Sequence, residues 1–162
     1  YAKQFENETL NFSVHDMRKS FRQKYDAVFN LFTSFGYFED DTEDLLILEN
    51  IKNGLTKNGC FVFDFLNAEK VKANLVERET KIVDEITFNI KREIKNGFIL
   101  KHISFSADDK QHNFTERVKY LDCQKMTSFL EKVGFKITNY FGDYNLTNFD
   151  KNSSNRLIII AN

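Results

Sequence analysis

The segment from Tyr25 to Asn67 decides the fold that the sequence predicts: YDAVFNLFTSFGYFEDDTEDLLILENIKNGLTKNGCFVFDFLN. It begins and ends with nearly continuous apolar runs, as strands buried on both faces of a parallel sheet do. Between these runs, apolar residues recur at three- and four-residue steps, which predicts an amphipathic helix. The recurring residues are Leu45, Leu48, Ile51 and Leu55. We expect Asp41 or Thr42 to cap the helix and Asn58-Gly59 to end it. Strand, helix and strand with short connections form a parallel crossover unit, so the fold class is α/β.

The residues on either side of this segment extend the pattern. Residues 1–7 are typical of a helix end, and the alternation of Leu10, Phe12 and Val14 with polar residues predicts a half-buried strand. Ligands bind at the carboxyl ends of parallel strands. In this chain the predicted strand ends are residues 15–17, 30–32 and 64–67.

The segment 71–121 differs in character, because it reads as antiparallel strands over about 81–93, 97–106 and 113–121. Asn96-Gly97 predicts a hairpin turn and residues 107–110 a looser one. A helix that stops at Gly134 follows, and KITNYFGDYN with RLIIIAN predicts a closing strand pair. We therefore expect one domain, 1–162, that carries a β-rich insertion.

Composition and motifs exclude several classes of function. The net charge of −1, from 23 basic and 24 acidic residues, creates no field for nucleic acid. No run approaches the ~20 apolar residues of a membrane helix, and no signal peptide is visible, so we expect a cytoplasmic protein. Cys60 and Cys123 have no metal-ligand spacing with the three histidines, so no metal site is predicted. The GxSxG, HExxH, P-loop and GxGxxG motifs do not occur.

The roles of three polar residues depend on where they lie in the predicted fold. Asp16 follows a predicted strand, where it either binds a ligand or caps the next turn. His102 lies within a predicted strand of the insertion, where a solvated sheet face is the simpler interpretation. Asp64 lies in an apolar run, and a buried carboxylate there requires hydrogen bonds from backbone amides or solvent.

The order of these motifs resembles the later two-thirds of a class I S-adenosylmethionine (SAM)-dependent methyltransferase. The motifs are HDMR, YDAVFNLFTSFGYF, the helix that leads to LTKNG, CFVFDFLN, FLEKVGFKITNYFGDYN and RLIIIAN. The resemblance implies a Rossmann-like, mostly parallel sheet with an antiparallel final strand. It also implies that the inserted antiparallel meander, 71–121, forms a lid or a homodimer surface.

Carried over by position, the resemblance implies a SAM site at the predicted strand ends. It places Asp16 and Met17 at the adenine, with Asp16 on the exocyclic amine. The segment that borders the methionine portion and the methyl group is Asn30, Leu31 and Phe32. Phe35 and Tyr37 then face the acceptor. Methyl transfer has no obligatory catalytic group. Where the acceptor needs a base, the candidates are His102 and Tyr37.

The resemblance also implies that the family's glycine-rich first loop and ribose-binding acidic residue precede Tyr1. We therefore expect this chain to be the later part of a longer protein and to bind SAM poorly by itself. The leading hypothesis is SAM-dependent methyl transfer to a small-molecule acceptor. The alternative is a non-catalytic α/β module that associates with a partner or with itself.

Overall fold

Two four-stranded sheets and three α-helices make up the chain, and the structure, a computed structural model, describes residues 1–162. The strands are β1 (Tyr25–Asn30), β2 (Leu55–Leu66), β3 (Arg78–Val83), β4 (Ile86–Lys95), β5 (Phe98–Ala107), β6 (Lys110–Lys119), β7 (Ile137–Phe141) and β8 (Arg156–Ala161). The helices are α1 (Asp41–Gly54), α2 (Ala68–Ala73) and α3 (Cys123–Lys132), and a 3-10 turn covers Ala2–Phe5. None of these helices has the length and apolar character that crossing a membrane requires.

The first sheet has the strand order β1-β2-β8-β7. β1 and β2 pair in parallel on either side of α1 in the sequence, which confirms the predicted crossover unit. β8 is antiparallel to both β2 and β7, which confirms the predicted closing pair. Three strands thus run in one direction, and the final strand of the chain runs against them.

The core is centred on β2. Phe61, Phe63 and Phe65 alternate along this strand and are fully buried. Burying a side chain of this size contributes about 1.5–3 kcal/mol each. Both long helices add side chains to the same cluster, among them Ile47, Leu48, Met126 and Leu130. The carboxyl end of β2 is therefore held on a rigid, well-packed element.

The boundaries of α1 differ from the prediction at both ends. Its N-cap is Asp40, whose carboxylate accepts a hydrogen bond from the Thr42 N–H at 2.9 Å. The helix ends at Gly54, so the expected end at Asn58-Gly59 is wrong. Leu55 is buried and already pairs with Tyr25 of β1, and this sheet pairing takes precedence over the helical spacing.

The second sheet is an antiparallel meander with the order β3-β4-β5-β6. It has four strands where the sequence predicted three, because Asp84 and Glu85 turn the chain with φ of 47° and 66°. This turn contains no glycine, so it carried no sequence signal. The predicted turn at Asn96-Gly97 is confirmed, and both residues have positive φ.

The residues that precede β1 contain no strand. The strand predicted over Leu10 to Val14 is wrong, since both side chains are exposed and the backbone is irregular. No strand of either sheet pairs with this segment. An extended segment without ladder hydrogen bonds has little to stabilise it.

Lys119, the last residue of β6, connects the second sheet to α1 and to the segment that follows β1. Its N–H donates to the Gly36 carbonyl at 2.7 Å, and its buried ammonium donates to Asp41 and Asp44 of α1. Gly36 has φ of +76°, and a Cβ there would lie 3.3 Å from Leu121 Cδ1 and Lys119 Cβ. The second sheet is therefore anchored beside the segment that follows β1.

Candidate active site

A strained turn follows β1 at the edge where the parallel strands end. Phe32 and Thr33 have φ of 57° and 64°, in the left-handed region that costs a non-glycine residue about 1–2 kcal/mol. β2 compensates through hydrogen bonds. The Phe32 N–H donates to Asp64 Oδ2 at 2.7 Å, and the Thr33 N–H donates to the Asp64 carbonyl at 3.1 Å. The Leu66 N–H in turn donates to Thr33 Oγ1 at 3.1 Å.

Asp64 is the centre of this edge. Its side chain is 1% exposed, and its carboxylate accepts three hydrogen bonds. Besides the Phe32 N–H, the donors are Arg156 Nε at 2.7 Å and the Tyr144 hydroxyl at 3.1 Å. Arg156 lies opposite Leu66 in the sheet ladder and supplies the positive charge that a buried carboxylate needs. The sequence predicted backbone amides or solvent as partners of Asp64: one backbone amide is present, whereas the other two donors are side chains and the carboxylate is buried.

Exposed aromatic rings lie at the turn that Asp64 holds. Phe32 is 73% exposed and Tyr144 60% exposed, and their rings meet edge-on with centroids 6.5 Å apart. Tyr37 is also exposed, and its hydroxyl donates to the Thr33 carbonyl at 3.0 Å. Desolvation, together with the hydrogen bond to Asp64, raises the pKa of the Tyr144 hydroxyl above its usual value. Tyr144 is therefore a neutral phenol at neutral pH.

The structure brings Met17 and Asn30 together below this turn. Asn30 Nδ2 donates to the Ser34 carbonyl at 3.0 Å and lies 4.0 Å from Met17 Sδ. Asn50 of α1 donates to the Met17 carbonyl at 3.3 Å and so holds this backbone in place. Asn30 Oδ1 is buried and accepts no hydrogen bond from the chain.

Asp16 lies in an exposed network. Its carboxylate accepts hydrogen bonds from the Arg18 N–H and guanidinium, and Arg18 also pairs with Glu43. The hydrogen bonds from Arg18 lower the pKa of the Asp16 carboxyl to about 2. Within the chain, the contacts of Asp16 are therefore those of a turn cap.

Two expected residues do not join the site. Phe35 is fully buried in the core, edge-on to Phe63 at 5.6 Å, so the expectation that it faces an acceptor is wrong. The turn at Phe32 and Thr33 sends Phe35 inward instead. His102 lies in the second sheet, where its ring nitrogens contact Thr115 Oγ1 at 3.0 Å and Glu93 Oε1 at 3.3 Å. Neither contact links His102 to the residues around Asp64.

Sequence reasoning missed Tyr144 and Arg156. Both are far from Asp64 in the sequence. They lie within the motifs FLEKVGFKITNYFGDYN and RLIIIAN, but nothing in those motifs distinguishes them from their neighbours. The one available signal was topological: an antiparallel β8 must begin at the edge where β2 ends, which puts its first residue, Arg156, beside that edge.

Comparison with known proteins identifies the fold. No family model matches the chain, and no curated protein matches it. It aligns over 92% of its length with a SAM-dependent methyltransferase from Clostridium acetobutylicum, at a TM-score of 0.79 and 15% identity, covering 63% of that structure. The CcbJ methyltransferase from Streptomyces caelestis aligns over 91% of the chain at a TM-score of 0.77 and 16% identity, with 61% of that structure covered. The sugar N-methyltransferase KedS8 from Streptoalloteichus gives 91% coverage of the chain, 60% of that structure, a TM-score of 0.66 and 13% identity.

The chain therefore has the fold of the class I SAM-dependent methyltransferases, as its motifs implied. It spans less than two-thirds of the length of each of these structures. At such low identity the likeness establishes the fold, and the activity follows only by proposal.

Proposed function

We propose that the protein transfers a methyl group from SAM to a small-molecule acceptor. The observation that carries this proposal is the edge where β1 and β2 end. Within a methyltransferase fold, this edge gathers a buried amide oxygen that lacks a donor and a group of exposed aromatic rings. Ligands of open α/β sheets bind at this edge. No observation favours the non-catalytic module.

The residues at this edge suit the proposed cofactor. Two of the solved relatives, CalS10 and MtfA, are described with SAM bound. Asn30 Oδ1 is a buried acceptor, and the amino group of the methionine portion is a donor. We assign Asn30, Leu31 and Phe32 to that portion. Asp16 and Met17 are assigned to the adenine, where Asp16 uses the lone pairs that Arg18 leaves available.

Methyl transfer requires the protein mainly to align the acceptor with the methyl group. When bound, SAM supplies an electrophilic methyl group on its sulfonium. The chain's own part is to orient the acceptor and exclude water, which together provide much of the acceleration of an in-line displacement. Phe32 and Tyr144 supply an apolar wall for this purpose. Tyr37, at the same edge, is the better placed of the two candidate bases, and His102 stays a weaker one.

The second sheet has a separate proposed part. We assign the insertion 71–121 to a lid or to a homodimer surface, as its position in the family implies. Ile82, Val83 and Phe114 are exposed apolar side chains on this sheet and favour contact with another surface. Sedimentation of the protein at several concentrations distinguishes these two uses.

Titration calorimetry of the natural full-length protein with SAM tests the proposed function. Asn30→Ala removes the unpaired acceptor, and loss of a hydrogen bond to a charged group weakens binding about 10- to 150-fold. Asn113→Ala, on an exposed position of β6, is the matched control and leaves the affinity unchanged. Transfer of radiolabelled methyl to a panel of small amines and alcohols tests the reaction. Absence of both SAM binding and methyl transfer would reject the proposal.

A further inference from the structure

The Asp64 carboxylate makes a connection that the fold alone does not require. Asp64 lies between Phe63 and Phe65 on the central core strand, where an apolar side chain would pack without a desolvation penalty. Its three donors come from three separate places: the turn after β1, the start of β8 and the loop between β7 and β8. One buried group thus joins the segments that border the two sides of the site.

The turn held by Asp64 presents a side chain to solvent. Phe32 stays 73% exposed although its backbone is bonded to a buried carboxylate. Thr33, the second residue of the turn, also accepts from Arg156 Nη2 at 3.2 Å, so both residues are held by rigid strands.

The loop that carries Tyr144 is internally supported. Asp143 Oδ1 accepts from the N–H groups of Asn145 at 2.9 Å and Thr147 at 3.2 Å. The Gly142 N–H donates to the Thr147 carbonyl at 2.8 Å and closes the loop. Because the backbone is fixed in this way, the hydrogen bond to Asp64 determines where the Tyr144 ring lies.

Phe32 and Tyr144 together form a corner. Their rings meet at an interplanar angle of 67°, so they offer two apolar faces to one occupant. The Tyr144 O–H already donates to Asp64, which leaves the phenol oxygen free to accept a hydrogen bond from a ligand. The corner thus combines apolar walls with a single hydrogen-bond acceptor.

We propose that Tyr144 contacts the acceptor and determines its class, and that Asp64 is a positioning residue that holds the Tyr144–Phe32 corner. The class that fits is a small ring compound with an O–H or N–H donor beside an apolar ring face. This inference rests on the proposed function for the reaction that follows binding, although the corner itself is defined without SAM.

A pair of matched probes tests the corner in the absence of SAM. Cyclohexanol carries the donor, whereas methoxycyclohexane has the same ring without it. In protein NMR titrations we expect cyclohexanol to shift the Phe32 and Tyr144 signals and to bind about 3- to 10-fold more tightly, the range of one neutral hydrogen bond. Tyr144→Phe keeps the ring and abolishes this preference. Tyr25→Phe, at the opposite end of β1, retains it. Persistence of the preference in Tyr144→Phe, or shifts confined to other residues, overturns the proposal.

Asp64→Asn tests the positioning part. Asn keeps one neutral acceptor oxygen in place of two charged ones, so the Phe32 N–H, the Tyr144 hydroxyl and Arg156 compete for it. We expect hydrogen exchange of the Phe32 amide to accelerate by at least about 10-fold, and the preference for cyclohexanol to disappear although Asp64 does not touch the probe. Asp26→Asn, which alters an exposed carboxylate bonded to Thr56 at the far end of β1, changes neither. An unchanged preference in Asp64→Asn refutes the positioning part. If Asp64→Asn does not fold, Tyr144→Phe still decides, because Tyr144 is largely exposed. If the protein does not bind SAM but still prefers cyclohexanol, the proposed function is rejected and the proposal for the Tyr144–Phe32 corner is supported.

Discussion

Replacing Lys119 by Met should destabilise the protein more than any change to an exposed charge. The Lys119 side chain is 4% exposed, and its ammonium donates to Asp41 Oδ1 at 2.9 Å and Asp44 Oδ2 at 2.5 Å. Asp44 is fully buried, and its second oxygen, Oδ1, has no partner. Lys119→Met therefore leaves a buried carboxylate without a counter-charge, which costs about 3–5 kcal/mol.

Thermal unfolding followed by circular dichroism measures this loss. For a chain of this size, a loss of about 3–5 kcal/mol lowers Tm by about 6–20 °C. Lys125→Met is the matched control, since Lys125 pairs with the same Asp41 from a position that is 40% exposed. An exposed pair of this kind contributes about 0–1 kcal/mol. Equal losses in the two variants would refute the reasoning.

A compensating variant checks the cause. Asp44→Leu combined with Lys119→Met removes both buried charges, and replacing such a pair by apolar side chains is often nearly neutral. We expect the double variant to be more stable than Lys119→Met alone. A double variant that loses the sum of the two single changes would show that the two groups do not act as a pair.

The pH dependence of Lys119→Met has a defined sign. Burial raises the pKa of the Asp44 carboxyl, and the hydrogen bond from Lys119 opposes that rise. Without Lys119 the folded-state pKa rises further. A carboxyl pKa that is raised in the folded state disfavours folding in full above that pKa, and this loss diminishes as the pH falls from the folded-state value towards the unfolded-state value. The stability gap between wild type and Lys119→Met should therefore narrow on acidification, as urea unfolding at several pH values would measure.

Two further predictions concern residues of the candidate site. Phe35→Ala should lower the free energy of unfolding by about 3–5 kcal/mol because the ring is fully buried. Phe32→Ala should change it by no more than about 0.5 kcal/mol and should affect ligand binding instead. Similar losses for the two variants in urea unfolding would contradict this distinction. Asp16→Asn removes a carboxyl whose pKa is lowered from 3.8 to about 2 in the folded state. Asp16 therefore stabilises the fold above pH 3.8, and this contribution disappears as the pH falls from 3.8 to about 2. Unfolding curves of the two proteins should accordingly differ at neutral pH and converge in acid, and a constant difference would exclude this assignment.

The local patterns predicted most of the first sheet. The apolar runs at β1 and β2, the helical spacing of α1 and the glycine stop at Gly134 each depend on residues close together in the chain. The errors occurred where a distant partner decides. Leu10 to Val14 alternate as a strand does but have no neighbour to pair with, and Leu55 completes a helical pattern but pairs with β1.

The site was less predictable than the fold, for a related reason. Asn30 and Phe32 were expected at the strand end because a parallel sheet places them there. Phe32 and Phe35 lie in the same aromatic stretch, so the sequence does not distinguish them. The left-handed turn at Phe32 and Thr33 leaves the Phe32 ring exposed and the Phe35 ring buried. The predicted closing strand could have placed Arg156 beside Asp64, whereas the position of Tyr144 depends on the packing of the loop between β7 and β8, which sequence spacing does not encode.

The self-closed loop between β7 and β8 makes the candidate site a modular one. Its ends are held by the Gly142–Thr147 hydrogen bond and by the bridge between Phe141 and Asn148, while Tyr144 reaches Asp64 from its tip. The side chains at positions 145 and 146 can therefore be varied without removing the contacts of Asp143 and Thr147 or the Tyr144 donor to Asp64. A library confined to these two positions would change the surroundings of Tyr144 while Asp64 keeps all three of its donors.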